Sequence, residues 1–229
     1  MSDKLTLKGS KKIWYPARVN SLDSYLSVLI KENIYFNYSQ VSSLKKNISY
    51  NLQYVEFLNR IIKDIDLSSV LFTQNIKIFV ICSASIVEAI FHYIVVSNGK
   101  EAKTDWKSYK SKTNNNEFDV KGDKFKTVTD IYIKVSPPIP ESMTFHSLCK
   151  KIEDNKMLGD VRGDLYKEIS YIRKLRNKIH IQGIQNSTDT DWWTFDNSEL
   201  NLMKRVLYGV LTSPVFSNSS QSSLFNYLK

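Results

Sequence analysis

Between Ile78 and Val96 the chain reads IFVICSASIVEAIFHYIVV, and no other stretch limits the possible folds as much. A run of this length approaches the ~20 apolar residues that a bilayer-spanning helix needs. Glu88 lies near its middle, however, and His92 follows one turn later. A carboxylate at the centre of a bilayer costs about 2.5–3.5 kcal/mol even on the lenient insertion scale. The segment therefore reads as the central helix of a soluble bundle, buried on all sides, and the rest of the chain has to cover it. With 229 residues there is enough chain to do so within one large domain.

The flanking pattern supplies that cover. Asn20–Glu32 carries Leu22, Tyr25, Leu26 and Leu29 at helical spacing, and SSLKKNISYNLQYVEFLNRIIKDI continues it through Leu44, Ile48, Leu52, Val55, Leu58 and Ile62. Two antiparallel helices are the simplest reading. SNGK at 97–100 ends the central helix with a glycine. From 105 to 140 the period changes: Phe118 and Val120 precede a KGDK turn, and Ile131, Ile133 and Val135 then alternate with Tyr132 and Lys134 until PPIP closes the run. Helical spacing returns at Thr144–Ile152, at Gly163–Ile181 and after DNSEL, where Asp196 and Glu199 form a capping pair and Pro214 stops the last helix. The expectation is an all-α bundle of about six long helices. It forms a single domain over 1–229, with an N-terminal helical extension over 1–64 and a small β-hairpin inserted at 105–140.

Charge narrows the partners. Formal net charge is +9 and there are 13 tyrosines, a combination that suits a polyanion such as RNA. Lysines solvating the surface account for the same numbers. In KTDWKSYKSKTNNN, the stretch read as the hairpin's loop, Trp106, Lys107, Tyr109 and Lys110 interleave aromatic rings with ammonium groups. That composition grips a phosphate backbone and stacks bases, or serves a solvated loop. Cys82 and Cys149 lie far apart with no ligand-spaced neighbour, so neither a disulfide framework nor a zinc site is indicated, and no cofactor is implied. MSDKLTLKGSKKIWYPAR lacks the apolar run of a signal peptide, so a cytoplasmic protein with no membrane contact is expected.

The chemistry concentrates in LRNKIHIQ, Leu175–Gln182, in a chain with six arginines and three histidines. On a wheel of ~100° per residue, Leu165, Ile169, Ile172 and Ile179 share one face, with Leu175 at its edge. Arg176 falls inside this apolar arc, His180 on its flank and Arg173 beside His180. A guanidinium aimed at a core needs a partner, and the one carboxylate of the apolar central helix is Glu88. Arg176 and Glu88 could then be a register-fixing ion pair. Alternatively, two arginines and a histidine at a cleft could clamp a phosphate and move protons. Two other constellations carry less. His146 and Cys149 are three residues apart with no third group to orient them, and DWW at 191–193 could stack bases, although paired tryptophans just before a helix more often pin a loop to the core.

Arg173 and His180 with six residues between them, the Arg176-Asn177 pair and the preceding helix with SASIVEAI together resemble the HEPN family, over roughly Leu67–Leu211. The recurring family motif is Arg, four to six residues, then His, often with a polar residue directly after the Arg. Either Arg173 or Arg176 is the counterpart of the motif arginine. The resemblance implies a helical bundle that dimerises so that two motifs face each other. It also implies a metal-independent RNA endonuclease of toxin–antitoxin or phage-defence type, in which the ribose 2′-OH attacks the adjacent phosphate and leaves a 2′,3′-cyclic phosphate. Arg173 or Arg176 would stabilise the phosphorane, His180 would act as acid or base, Asn177 would orient the backbone and Glu88 would support. RNA, a second copy and an antitoxin or defence-system protein are the implied partners. Other family members are non-catalytic, and the alternative carried forward is a HEPN-like module that binds RNA or a nucleotide, or serves protein interaction.

Overall fold

The computed structural model describes residues 14–179, 190–216 and 222–229, with side chains except at 112–117. It divides into two compact units, Lys100–Met143 and the remainder of the chain. The larger unit is helical: α1 (Val19–Leu26), α2 (Tyr38–Asp64), α3 (Ser69–Ser97), α4 (Phe145–Asp154), α5 (Leu165–Asn177), α6 (Asp191–Thr194) and α7 (Asn197–Leu211).

The apolar run lies in α3, which extends well beyond it to 29 residues. Ile76, Phe79, Val80, Ala84, Val87, Ile90 and Phe91 are buried, and α2, α4, α5, α6 and α7 pack against the helix. By length and composition α3 could cross a membrane, with a mean hydropathy of 2.1, but 61% of that window is buried inside the bundle. Glu88 is half-buried and His92 exposed, so the helix is not enclosed on every side. Asn98 caps α3 and Gly99 turns the chain at φ +65°, as a left-handed residue after a helix should.

α2 starts before the apolar periodicity does, because Asn37 accepts from the Gln40 N–H and Gln40 returns a bond to the Asn37 backbone. Its buried face, Val41, Ile48, Leu52, Val55 and Leu58, joins the same core, so α2 is an integral wall of the bundle rather than an appendage. α1 ends at Leu26, six residues short of the Glu32 that its spacing suggests. Tyr25 anchors it instead: the hydroxyl donates to the Leu211 carbonyl, and the ring stacks on Phe216 at 5.2 Å and meets Phe225 edge-on at 4.9 Å. The capping box at Asp196 and Glu199 forms as expected, and α7 ends at Leu211 ahead of a 3-10 turn at Pro214–Phe216.

The second unit is a long two-stranded antiparallel ribbon, β1 (Lys103–Val120) and β2 (Asp123–Pro140). Lys121 and Gly122 both have positive φ, 52° and 91°, and form the tight two-residue turn that matches strand twist. The stretch read as a loop from Lys103 to Asn116 is strand. Trp106 faces Lys134, Ser108 faces Tyr132 and Lys110 faces Ile131, with irregularities between Thr104 and Trp106, Ser108 and Lys110, and Thr113 and Glu117. PPIP does not end the strand either. Ile139 and Pro140 pair with Thr104 and Lys103, and prolines are tolerated here because both strands are edges.

Candidate functional site

The site that the sequence singles out is built on α3, α4 and α5. α5 presents Leu165, Ile169, Ile172 and Leu175 to the core, which directs Arg176, one residue past Leu175, along the flank of α3. There Arg176 Nη2 donates to Glu88 Oε2 at 2.8 Å. Their side chains are 35% and 25% exposed, so the pair lies at the rim of the core rather than inside it.

Arg173, half-buried one turn earlier, lies beside Cys149 of α4. Burial pushes the Cys149 thiol up to about 12; the Arg173 charge draws it down and Glu88 and Glu153 draw it up. These opposing influences place Glu88, Cys149, Glu153 and Arg173 in one neighbourhood, and a thiol so held remains protonated at neutral pH. A protonated thiol is a poor nucleophile, which argues against a catalytic pairing of Cys149 with His146. Cys149 had no signal as a neighbour of Arg173, because α4 and α5 meet only in the folded chain. The ion pairs among the described residues engage Arg60, Arg162, Arg176 and Arg205 and leave Arg173 out.

The helical wheel overreaches at the C-terminal end. α5 stops at Asn177: Lys178 N–H bonds to Leu175 O at 3.0 Å and Ile179 N–H to Arg176 O at 3.3 Å, which tightens the chain out of the α-helical period. Ile179, expected on the buried face, is 47% exposed as a result. Asn177 is exposed on the last turn, one turn from Arg173. His180 lies outside the described residues, so its projection onto the flank of this helix has no structural counterpart here.

On the ribbon, Trp106 and Tyr132 occupy diagonal cross-strand positions on one face and line an open hollow of about 550 Å³. Lys107 and Lys110 pair with Ile133 and Ile131. Trp106 and Tyr109 are 53% and 71% exposed, so the rings are available to a ligand. Tyr132 was missed as a partner of Trp106, although its alternation with Ile131 and Ile133 carried the signal.

DWW behaves differently from its reading. Trp192 and Trp193 are 48% and 72% exposed, so neither ring is buried in the core. Asp191 does the anchoring: its two carboxylate oxygens each accept from Lys77 Nζ at 2.9 Å and Oδ2 also accepts from Gln74 at 2.9 Å. Among the described residues no three His, Cys, Asp or Glu side chains gather closely enough to hold a metal ion. Comparison of the chain with known protein families, curated proteins and solved structures found no match.

Proposed function

We propose that the chain is a HEPN-type, metal-independent RNA endonuclease of toxin or phage-defence type, acting in the cytoplasm as a homodimer. The observation that carries this reading is the last turn of α5, where Arg173 and Asn177 stand one turn apart while Glu88 restrains Arg176 between them. His180 follows three residues after Asn177 in the sequence. In the proposed reaction the ribose 2′-oxygen bonds to phosphorus and its proton passes to a base. The bond from phosphorus to the 5′-oxygen then breaks and that oxygen takes a proton. His180 supplies one of these transfers, Arg173 neutralises the phosphorane charge and Asn177 contacts the RNA backbone. Arg176 is a positioning residue, since its guanidinium is held by Glu88.

The same ion pair favours a second reading, a non-catalytic RNA-binding module, because it withdraws one of the two arginines from the substrate. On that reading Trp106 and Tyr132 on one face of the ribbon stack bases, while Lys107 and Lys110, which pair with Ile133 and Ile131 on the other face, neutralise phosphates. The deciding experiment is cleavage of tRNA, rRNA and mRNA in EDTA, scored for cyclic-phosphate ends. Cleavage by wild type that falls ~10²–10⁴-fold in His180→Ala supports the nuclease. Salt-sensitive binding without cleavage supports the module. No affinity for RNA defeats both.

A further inference from the structure

Away from the α5 cluster, α2 and α7 face each other across a cleft of about 480 Å³, a volume suited to one small molecule. Each helix lines it with a polar stripe at helical spacing: Glu56, Asn59, Arg60 and Lys63 on α2, and Asn197, Asn201 and Lys204 on α7. Such stripes usually point to water. Here the two converge.

The chemistry of the walls selects the occupant. Lys63 and Lys204 bring positive charge, and so does Arg60, whose Nε is held by Asp64 on the same helix so that its other guanidinium nitrogens are what a ligand would meet. Burial disfavours the charged form of Lys204, and the neighbouring Lys63 ammonium adds to the effect. Among the described lining residues Glu56 is the one carboxylate. It accepts the Ala17 N–H at 2.8 Å, and burial biases it toward its neutral form. Tyr227, from the 3-10 segment Ser222–Leu228, also lines the cleft; its hydroxyl is buried with no hydrogen-bond partner in the structure, and burial and the Glu56 charge keep its proton on. An unsatisfied buried donor requires an explanation, and an incoming oxygen supplies one. Trp14 adds an aromatic wall, with the Arg60 guanidinium 6.0 Å from its ring centre. Cations and a phenol donor fit a phosphate, asparagine amides fit the donors and acceptors of a base or sugar, and the indole fits a planar ring.

We propose that the cleft between α2 and α7 is a nucleotide-binding site, with Lys204, Arg60 and Tyr227 holding the phosphate and Trp14 stacking the base. The ligand is a nucleoside phosphate, either free or as the phosphorylated end of an RNA. The proposal does not rest on the nuclease assignment.

Calorimetry with the full chain tests it, using AMP, GMP, inorganic phosphate, and short oligoribonucleotides with a 5′-phosphate or a 5′-hydroxyl. The expected result is saturable binding of a mononucleotide, or of the 5′-phosphorylated oligonucleotide alone, and these two arms separate a free ligand from an RNA end. Lys204→Ala and Trp14→Ala should each weaken it at least tenfold, Lys204→Arg should recover most of the loss, and Arg173→Ala should leave it unchanged. Thermal melts show which variants are folded, and Trp14→Ala serves if Lys204→Ala is not. Inorganic phosphate binding as tightly as nucleotide would overturn the assignment. So would no binding at millimolar mononucleotide together with equal binding of the 5′-phosphate and 5′-hydroxyl oligonucleotides by Arg173→Ala, in which the α5 site is disabled, or loss of mononucleotide binding in Arg173→Ala. Cleavage assays on Arg173→Ala report on the α5 site separately, so failure of one assignment leaves the other standing.

Discussion

Arg176 of α5 donates to Glu88 in the C-terminal half of α3 across 2.8 Å, which joins a helix with an apolar arc to the only carboxylate in the bundle's central helix. Partial exposure sets the worth of this pair. Exposed pairs contribute about 0–1 kcal/mol, whereas breaking a fully buried pair costs about 3–5. With the side chains 35% and 25% exposed, Arg176→Ala should destabilise by about 1–2 kcal/mol. Urea melts of Arg176→Ala, Glu88→Ala and the double variant should give a coupling of about 1 kcal/mol. A coupling near zero would show that the two side chains meet without stabilising the fold.

Lys77 is far more enclosed, with a side chain 7% exposed, and Asp191 receives its ammonium through both oxygens. Asp191→Ala leaves that charge without its counter-ion and should cost about 2–4 kcal/mol. Lys77→Met removes the charge itself and should cost clearly less. Equal losses in chemical denaturation would contradict this asymmetry.

Cys149 and Cys82 both have thiols raised by burial, Cys149 to about 12. At pH 8 the thiolate fraction of Cys149 should be about a thousandfold below that of an ordinary cysteine, and alkylation should slow in proportion. Arg173→Ala removes the one nearby charge that lowers this thiol and should slow labelling further. Mass-spectrometric labelling kinetics on Cys149 check both expectations, and rapid modification of the folded protein would refute them.

Lys204 gives the α2–α7 cleft a pH signature. Burial and the neighbouring Lys63 hold its pKa below the ordinary 10.5, so the unfolded chain binds more protons than the folded one between the depressed value and 10.5. Stability contributed by this group therefore rises with pH across that window, and its charged form is disfavoured below it. A phosphate in the cleft favours the charged form. Nucleotide binding should take up protons increasingly as pH rises into the window, a heat visible when calorimetry is repeated in buffers of different ionisation enthalpy. Lys204→Met should abolish that uptake; an unchanged uptake would assign it to another group.

Much of this architecture is written in local periodicity. The buried stretch of α3, the body of α2, the cap of α7 and the Lys121-Gly122 turn follow from residues within a few positions of one another, where helix and strand periods are decided. The partnership of Arg176 with Glu88 was also legible, although 88 residues separate them, since a guanidinium in an apolar arc has to find a carboxylate and α3 offers one. Other features belong to the tertiary structure alone. The strand character of Lys103–Asn116 comes from hydrogen bonds to β2, which composition does not encode. The end of α5 at Asn177 depends on backbone bonds that tighten to the third residue back, whereas a wheel carries the period onward unchanged. The α2–α7 cleft exists because two solvent-type stripes, roughly 140 positions apart in the chain, are brought face to face. Each stripe alone reads as surface, and only their convergence crowds Lys63 against Lys204 and encloses the Tyr227 hydroxyl, so packing gave these ordinary polar residues an environment that no local pattern could specify.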